Sequence, residues 1–294
     1  MDEYSPITAA ELPQVVELLN AEYMVQRNRI GTVTERYPDL FDIQNSSNLL
    51  VLRDNKAILS FCAVQEATVH FKARVYRGGM IGFVYTCPAK RGRGYAKMLL
   101  QRAEETIRLQ GLDFAVLFST LHEFYTKQGW VLHDEGLLGI WKGPSPTAME
   151  SEIGMDVNPD AILNIEHIRR EREALWVERT VASYQRRPLS VDHLRVMFSS
   201  SKKAYCLYGV KNSHIYIYEL AGEPSGLDEM WSRLTKFYAE ITVNFHENNS
   251  AREWLMETGR LQVNHQRHAL WKWIKNHGVK ANNTLCHLPY FDRI

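Results

Sequence analysis

The sequence predicts an α/β fold class, a mixed central sheet flanked by helices, present as two tandem copies. Three observations carry that expectation. Apolar residues switch repeatedly between a two-residue and a helical period along the first half of the chain. A proline- and serine-rich stretch interrupts the pattern, which then partly restarts. A shift of 130 residues lays Gly129 on Gly259, Phe124 on Trp254 and Ile140-Trp141-Lys142 on Leu270-Trp271-Lys272 without a gap. At roughly 100 to 200 residues per domain, a chain of 294 residues has room for both copies.

Taken in order, Thr8-Ala9-Ala10-Glu11 has capping-box spacing, and Val15, Val16, Leu18, Leu19 and Tyr23 recur as on a helix, which predicts a helix over about Ala9–Tyr23. Leu49–Arg53 and Ala57–His70 read as a hairpin around Asp54-Asn55. A third strand, Met80–Thr86, runs into Cys87-Pro88. After Arg91-Gly92-Arg93-Gly94-Tyr95-Ala96 comes a helix to Gln110, with Met98, Leu99, Leu100, Ala103 and Ile107 apolar. Phe114–Phe118 is short and wholly apolar, as a buried strand should be. Leu121–Gln128 predicts a short helix stopped by Gly129, and Trp130–Leu132 and Leu137–Lys142 predict closing strands. The second half offers a helix within Ala161–Tyr184, strands Ala204–Val210 and His214–Leu220, a helix Leu227–Tyr238, a strand Ile241–Phe245, a helix Ser250–Glu257 and a strand-rich end, Leu261–Ile274. Pro144–Pro159 lacks an apolar period, so the expected division is residues 1–145, a linker 146–160 and residues 161–294.

Composition excludes several classes. Lysine plus arginine total 35 against 34 aspartate plus glutamate, so no global basic field argues for nucleic acid or a bilayer surface. With 45% hydrophobic and 23% charged residues the chain reads as globular throughout. No apolar run is long enough to span a bilayer, and MDEYSPITAAEL lacks a secretory signal, so the expected location is cytoplasmic. Cys62, Cys87, Cys206 and Cys286 lie far apart without CxxC spacing, which predicts reduced thiols and no metal site. Charge is nevertheless segregated: residues 1–50 carry 3 basic and 8 acidic side chains, and residues 51–100 carry 9 basic and 2 acidic. One surface for a cationic group and another for an anionic one would follow, unless both are ordinary solvated faces.

The strand-to-helix turn around Arg91–Ala96 carries the strongest local chemistry. Gly92 and Gly94 let successive N–H groups converge, the helix adds its positive end, and Lys90, Arg91 and Arg93 add charge. Such a nest grips a diphosphate. The spacing is neither GxxxxGK[ST] nor GxGxxG. Read alone, the turn is equally a tight connection with a solvated basic rim.

Arg91-x-x-Gly94-x-Ala96, preceded by an apolar strand and Pro88, resembles the acyl-CoA pyrophosphate motif R/Q-x-x-G-x-G/A of the GCN5-related N-acetyltransferases. Phe124-Tyr125-Thr126-Lys127-Gln128-Gly129-Trp130 is similar to that family's second signature, FYxxxGF, with tryptophan last. The resemblance covers about residues 5–143. It implies acetyl-CoA as co-substrate, pantetheine pairing with the backbone of Val84, Tyr85 and Thr86, pyrophosphate on the N–H groups of Arg91, Gly92, Arg93, Gly94, Tyr95 and Ala96, and Tyr125 near the thioester sulfur as the catalytic side chain.

An amine attacks a thioester only when neutral, and an alkyl ammonium has a pKa of about 10.4, so a proton must leave it. The oxyanion needs a fixed donor, for which a backbone N–H at Val84–Thr86 is suited. Tyr125, at about 10, would protonate a leaving thiolate of about 8.5 slightly uphill. Many relatives carry a glutamate on the central strand, but Met80–Thr86 has no carboxylate. Glu66, His70, Glu22 and His122 are the side-chain candidates for a base. Relatives of the mycobacterial Eis type use the C-terminal carboxylate, which points to Ile294.

In the second half, Leu255 falls opposite Tyr125, and Ala221-Gly222-Glu223-Pro224-Ser225-Gly226 has no RxxGxG/A. It resembles a degenerate copy that has lost cofactor binding and packs against the first or walls its cleft. His265 and His268, three apart on a strand, would face opposite ways, and Cys286-His287 lacks a ligand set. Trp231, Trp254, Trp271 and Trp273 read as core. The expected function is transfer of an acetyl group from acetyl-CoA to a primary amine, with a small cationic acceptor attracted by Glu22, Glu35, Asp39 and Asp42. Peptide or protein amine acetylation, and a non-enzymatic acyl-CoA sensor, are the competing readings.

Overall fold

The computed structural model describes residues 3–29, 31–55, 57–144, 153–185, 193–257, 261–275, 285 and 287–294. Residues 146–152 of the expected linker, Gly259 and Cys286 lie outside them. In chain order the first half holds β1 (Glu3–Pro6), α1 (Leu12–Leu19), α2 (Val33–Arg36), β2 (Leu49–Asp54), β3 (Ala57–Phe71), β4 (Arg74–Thr86), α3 (Tyr95–Leu109), β5 (Phe114–Phe118), α4 (His122–Thr126), β6 (Val131–Leu132) and β7 (Gly136–Lys142). The second holds β8 (Met155–Asp156), α5 (Pro159–Arg172), β9 (Leu175–Val177), α6 (Val181–Gln185), β10 (Arg195–Phe198), β11 (Ala204–Lys211), β12 (His214–Gly222), α7 (Pro224–Phe237), β13 (Glu240–His246), α8 (Arg252–Glu257), β14 (Gln262–His265) and β15 (Ala269–Trp273).

Local chemistry explains most boundaries. Glu11 accepts from the Thr8 backbone N–H at 2.8 Å, as the spacing predicts, and α1 continues as a π-helical turn to Met24. The β3–β4 hairpin is longer than its apolar run suggests because Lys72 and Ala73 both adopt positive φ, 46° and 59°, the geometry that a two-residue turn requires. In α3, Leu99, Leu100, Ala103 and Ile107 are buried against Cys62, Ile81 and Leu117, so one face of the helix covers the sheet.

Two mixed sheets result. The first runs β1-β2-β3-β4-β5-β15-β6, with β9 added to the far end of β3; the second runs β14-β7-β13-β12-β11-β10-β8. Both repeat one order of connections: an antiparallel hairpin, a helix, a strand parallel to the hairpin's second arm, a short helix and a short strand. Each sheet, however, takes an inner strand from the other half, and the first also takes β9. β15 lies between β5 and β6, pairing Leu270 with Leu117 and Leu132. β7 lies between β13 and β14, pairing Ile140 with Thr242 and Gln262. The runs related by the 130-residue shift, Ile140-Trp141-Lys142 and Leu270-Trp271-Lys272, are therefore exchanged reciprocally, and the sheets are not divided at the linker.

Among the described residues, no helix is long and apolar enough to cross a membrane. His265 and His268 do not share a strand: His265 ends β14 of the second sheet, and His268 lies in the connection just before β15 of the first. Trp231 and Trp271 are core residues, 4% and 2% exposed.

Candidate active site

β4 and β5 run parallel only over Gly78–Met80 and Phe114–Val116. Beyond Met80 they separate, and the last six residues of β4 keep a partner in β3 alone. A wedge opens between the strands. Its β4 wall carries a bulge, because Phe61 pairs with Tyr85 and Ala63 with Gly82, which leaves Phe83 and Val84 opposite Cys62. Phe83 sits at φ 54°, a conformation that costs a bulky side chain energy and turns the local peptide groups out of the ladder. Tyr23, Tyr37 and Phe41 hold the Phe83 ring edge-on, with centroids 5.2 to 5.4 Å away.

Val84, Tyr85 and Thr86 therefore lie along the open wall. Their carbonyl oxygens are already engaged: the Tyr23 hydroxyl donates to Val84 at 2.8 Å, the Ser60 hydroxyl to Tyr85, and Arg91 Nε to Thr86 at 3.1 Å. A carbonyl accepts two hydrogen bonds, so a ligand pairing there shares the acceptor with a side chain.

Arg91 does not extend toward the turn that follows it. Its guanidinium donates to both Glu22 carboxylate oxygens at 3.0 Å. Gly92 and Gly94 take φ 78° and 83°, and a Cβ on either would meet nothing within 4 Å. Among the described residues, none accepts a hydrogen bond from the N–H groups of Gly92, Arg93 or Gly94. α3 then starts at Tyr95 without a side-chain cap or an acidic first turn, so the donors of Tyr95 and Ala96 extend the same concavity. Beside that turn, an open cavity of about 400 Å³ is lined by Lys97, Glu123, Phe124, Lys127 and Gln128.

The second half shows the opposite condition at its matching turn. A Cβ on Gly222 would lie 2.3 Å from Ala204, and one on Gly226 would lie 2.8 Å from the same residue. Glu223 is paired with Arg172 at 2.8 Å and Lys203 at 3.4 Å. Packing fills the space that is open at Gly92 and Gly94.

Tyr125 projects from α4 into the core beneath the wedge, 6% exposed, with Trp130 edge-on at 6.4 Å. Burial pushes its hydroxyl pKa up, a bond to the Ser119 side chain partly offsets this, and Cys62 raises it further. The Trp130 indole donates to Glu104 of α3 at 3.1 Å, and Lys272 of β15 pairs with the same carboxylate at 2.7 Å. The exchanged strand thus anchors the segment that carries Tyr125.

The candidate bases separate. Glu66 pairs with Arg77 at 2.9 Å, and His70 stacks on Trp176 at 3.7 Å near the tip of the hairpin, roughly 25 Å along β3 from the bulge at about 3.3 Å per residue. Glu22 is neutralised by Arg91. His122 starts α4 with a buried Nε2 that has no hydrogen-bond partner. Ile294 lies at the bulge, its main-chain carbonyl carbon 3.3 Å from where a Gly82 Cβ would be. Of the other acids, Glu35 caps α2 through Thr32, Asp42 caps the turn at Gln44 at 2.8 Å, and Asp39 accepts from Thr180 at 3.4 Å. Among the described residues, no cluster of three histidine, cysteine, aspartate or glutamate side chains suits a metal ion.

Residues 3–132 match a family model described as an acetyltransferase (GNAT) domain. No curated protein sequence matches the chain. The fold is similar to that of a probable N-acyltransferase from Enterococcus faecalis V583, with a TM-score of 0.73 at 14% identity over 93% of this chain and 72% of that one. It is similar also to a GCN5-related N-acetyltransferase from Anabaena variabilis, at 0.72 and 14% over 94% and 73% of the two chains. Eis1 from Mycobacterium abscessus gives 0.65 and 12% over 93% and 74%. Residues 3–132 thus match an acetyltransferase (GNAT) domain, within a fold shared with these structures along nearly the whole length of the chain.

Proposed function

We propose that this protein transfers an acetyl group from acetyl-CoA directly to a primary amine of a small cationic acceptor. The observation that carries the reading is the wedge between β4 and β5 leading onto the open turn Arg91–Ala96 at the start of α3. The pyrophosphate is bound there by the backbone N–H groups from Gly92 to Ala96, whereas the Arg91 N–H donates to Pro88 O at 3.3 Å and its side chain braces Glu22. Lys97, Phe124 and Lys127, which line the neighbouring cavity together with Glu123, suit the nucleotide end of the coenzyme, with Lys127 paired to Glu123 at 2.6 Å. Pantetheine lies along Val84, Tyr85 and Thr86.

The neutral amine attacks the thioester carbonyl carbon, and the oxyanion that forms is held by a backbone N–H at the bulge. Collapse breaks the carbon–sulfur bond. The thiolate takes a proton from Tyr125, which recovers one from solvent, while water carries away the proton lost by the amine. The aromatic residues around Phe83, together with Glu35, Asp39 and Asp42 on the same segment, favour a cation over a neutral acceptor. We infer further that the chain contains two copies of one fold, of which the second, with its turn packed shut, shapes the cleft rather than binding coenzyme.

The test is free-thiol release from acetyl-CoA against a panel of amines. Release with small cationic amines is expected, and Gly94→Glu, which places a carboxylate where the diphosphate binds, should abolish it. Tight acetyl-CoA binding without release for any amine would instead favour a sensor, and a rate confined to peptide amines would change the acceptor class.

A further inference from the structure

Asp134 lies in the connection between β6 and β7, and its carboxylate is fully buried. It accepts from the Gly136 N–H at 3.0 Å on its own strand connection and from the His268 and Ala269 N–H groups, both at 3.2 Å, on the connection between β14 and β15. At these two places the chain crosses between the sheets, from β6 into β7 and from β14 into β15. The same carboxylate also accepts from His287 Nδ1 at 2.7 Å and Arg293 Nη2 at 3.2 Å, both in the segment 287–294. Desolvation pushes the His287 pKa down to about 4, so its ring is neutral at pH 7 and Nδ1 carries the hydrogen.

From this anchor the segment spans the mouth of the wedge. Arg293 Nε closes the segment on itself by donating to Leu288 O at 3.0 Å, and its guanidinium lies 4.4 Å from the ring centre of Phe118, the last residue of β5. The next residue, Ile294, meets the opposite wall at Gly82 and packs with the cluster around Tyr85. A second tether holds the middle: Asp292 pairs with buried Arg179 at 2.7 Å, and Arg179 also binds Glu219 of β12 at 2.7 Å. Asp134 therefore holds the segment at both His287 and Arg293, and the Arg293–Ile294 end bridges both walls of the site.

We propose that Asp134 is a positioning residue for acetyl transfer, acting through His287 and Arg293 to keep Ile294 seated against the β4 bulge. The proposal rests on the acetyltransferase reading of that cleft. Asp134 touches neither donor nor acceptor. Its loss should disturb the reacting geometry without disturbing the coenzyme turn on α3.

The full chain and its Asp134→Asn variant are compared by steady-state thiol release and by hydrogen exchange of residues 287–294. Expected are a kcat lower by about 10- to 100-fold, the scale of a misplacement of about 1 Å, a KM for acetyl-CoA changed by less than about twofold, and faster exchange confined to 287–294. Arg293→Gln leaves every strand contact of Asp134 in place, so it decides the matter should Asp134→Asn fail to fold; a smaller kcat loss of the same kind is expected. Unchanged exchange, or faster exchange with kcat intact in both variants, overturns the proposal. A wild-type chain that releases no thiol with any amine would count against the acetyltransferase reading instead, whereas the exchange arm reports on the Asp134 anchor whether or not turnover occurs.

Discussion

Burial holds Tyr125 as a neutral phenol, and the Ser119 bond keeps its hydroxyl oriented. A donor whose pKa lies above that of the leaving thiol helps most late in the reaction, when the carbon–sulfur bond is nearly broken and the thiolate has become basic. Tyr125→Phe should therefore lower kcat by about 100-fold while the KM for acetyl-CoA and the thermal midpoint stay close to wild type; thiol-release kinetics with a melting curve check this, and an unaltered kcat would remove Tyr125 from the reaction. Gly92 and Gly94 were legible in the sequence because a turn that presents N–H groups needs residues tolerant of positive φ. The direction of Arg91 was not. Its partner Glu22 lies 69 residues away in sequence, and charge counts cannot show that two like-sized patches meet at a pair of side chains. The acids near residue 40 were read as an attractive field, yet Glu35 and Asp42 also cap local turns.

At the level of elements, β15 completes the first sheet and supplies Lys272 to Glu104, whereas β7 does the corresponding service for the second sheet. A fragment ending at residue 145 has no strand to place between β5 and β6. It should not yield a monomer that binds acetyl-CoA, and separately produced residues 153–294 should restore binding on mixing; calorimetric titration with acetyl-CoA measures both, and a fragment that binds alone would show the exchange to be dispensable. The strands themselves were legible, since Phe114–Phe118 and Leu137–Lys142 are apolar runs of strand length. Their exchange was hidden because alternation of apolar residues fixes which face of a strand is buried but not which neighbour it pairs with. The 130-residue shift found both exchanged strands without revealing that they trade places. The short strands β1, β8, β9 and β10 escaped because runs of two to four residues carry almost no periodicity.

Across the whole molecule, the second sheet also splays: β12 and β13 are parallel only from His214 to Ile217. Glu173, Asn244, His246 and His287 line the small cavity left there. Burial and the nearby Glu219 charge raise the Glu173 pKa to about 7, with Ser250 hydrogen bonds opposing. A carboxyl whose folded pKa exceeds its unfolded value of 4.5 stabilises the protein fully below that value and loses the contribution as pH rises through about 7. Wild type should lose up to about 3 kcal/mol between pH 4.5 and pH 8 from this group, and Glu173→Gln should not; urea unfolding at the two pH values tests it, and parallel pH profiles would place the proton elsewhere. The exchange of strands has a further consequence during synthesis. The wedge between β4 and β5 is encoded before residue 120, but β15, which backs β5, is translated about 150 residues later. At roughly 5–20 residues per second, the half-finished sheet waits for something like 8 to 30 s with an open edge on β5, so the proposed coenzyme site is complete only when nearly the whole polypeptide has been made.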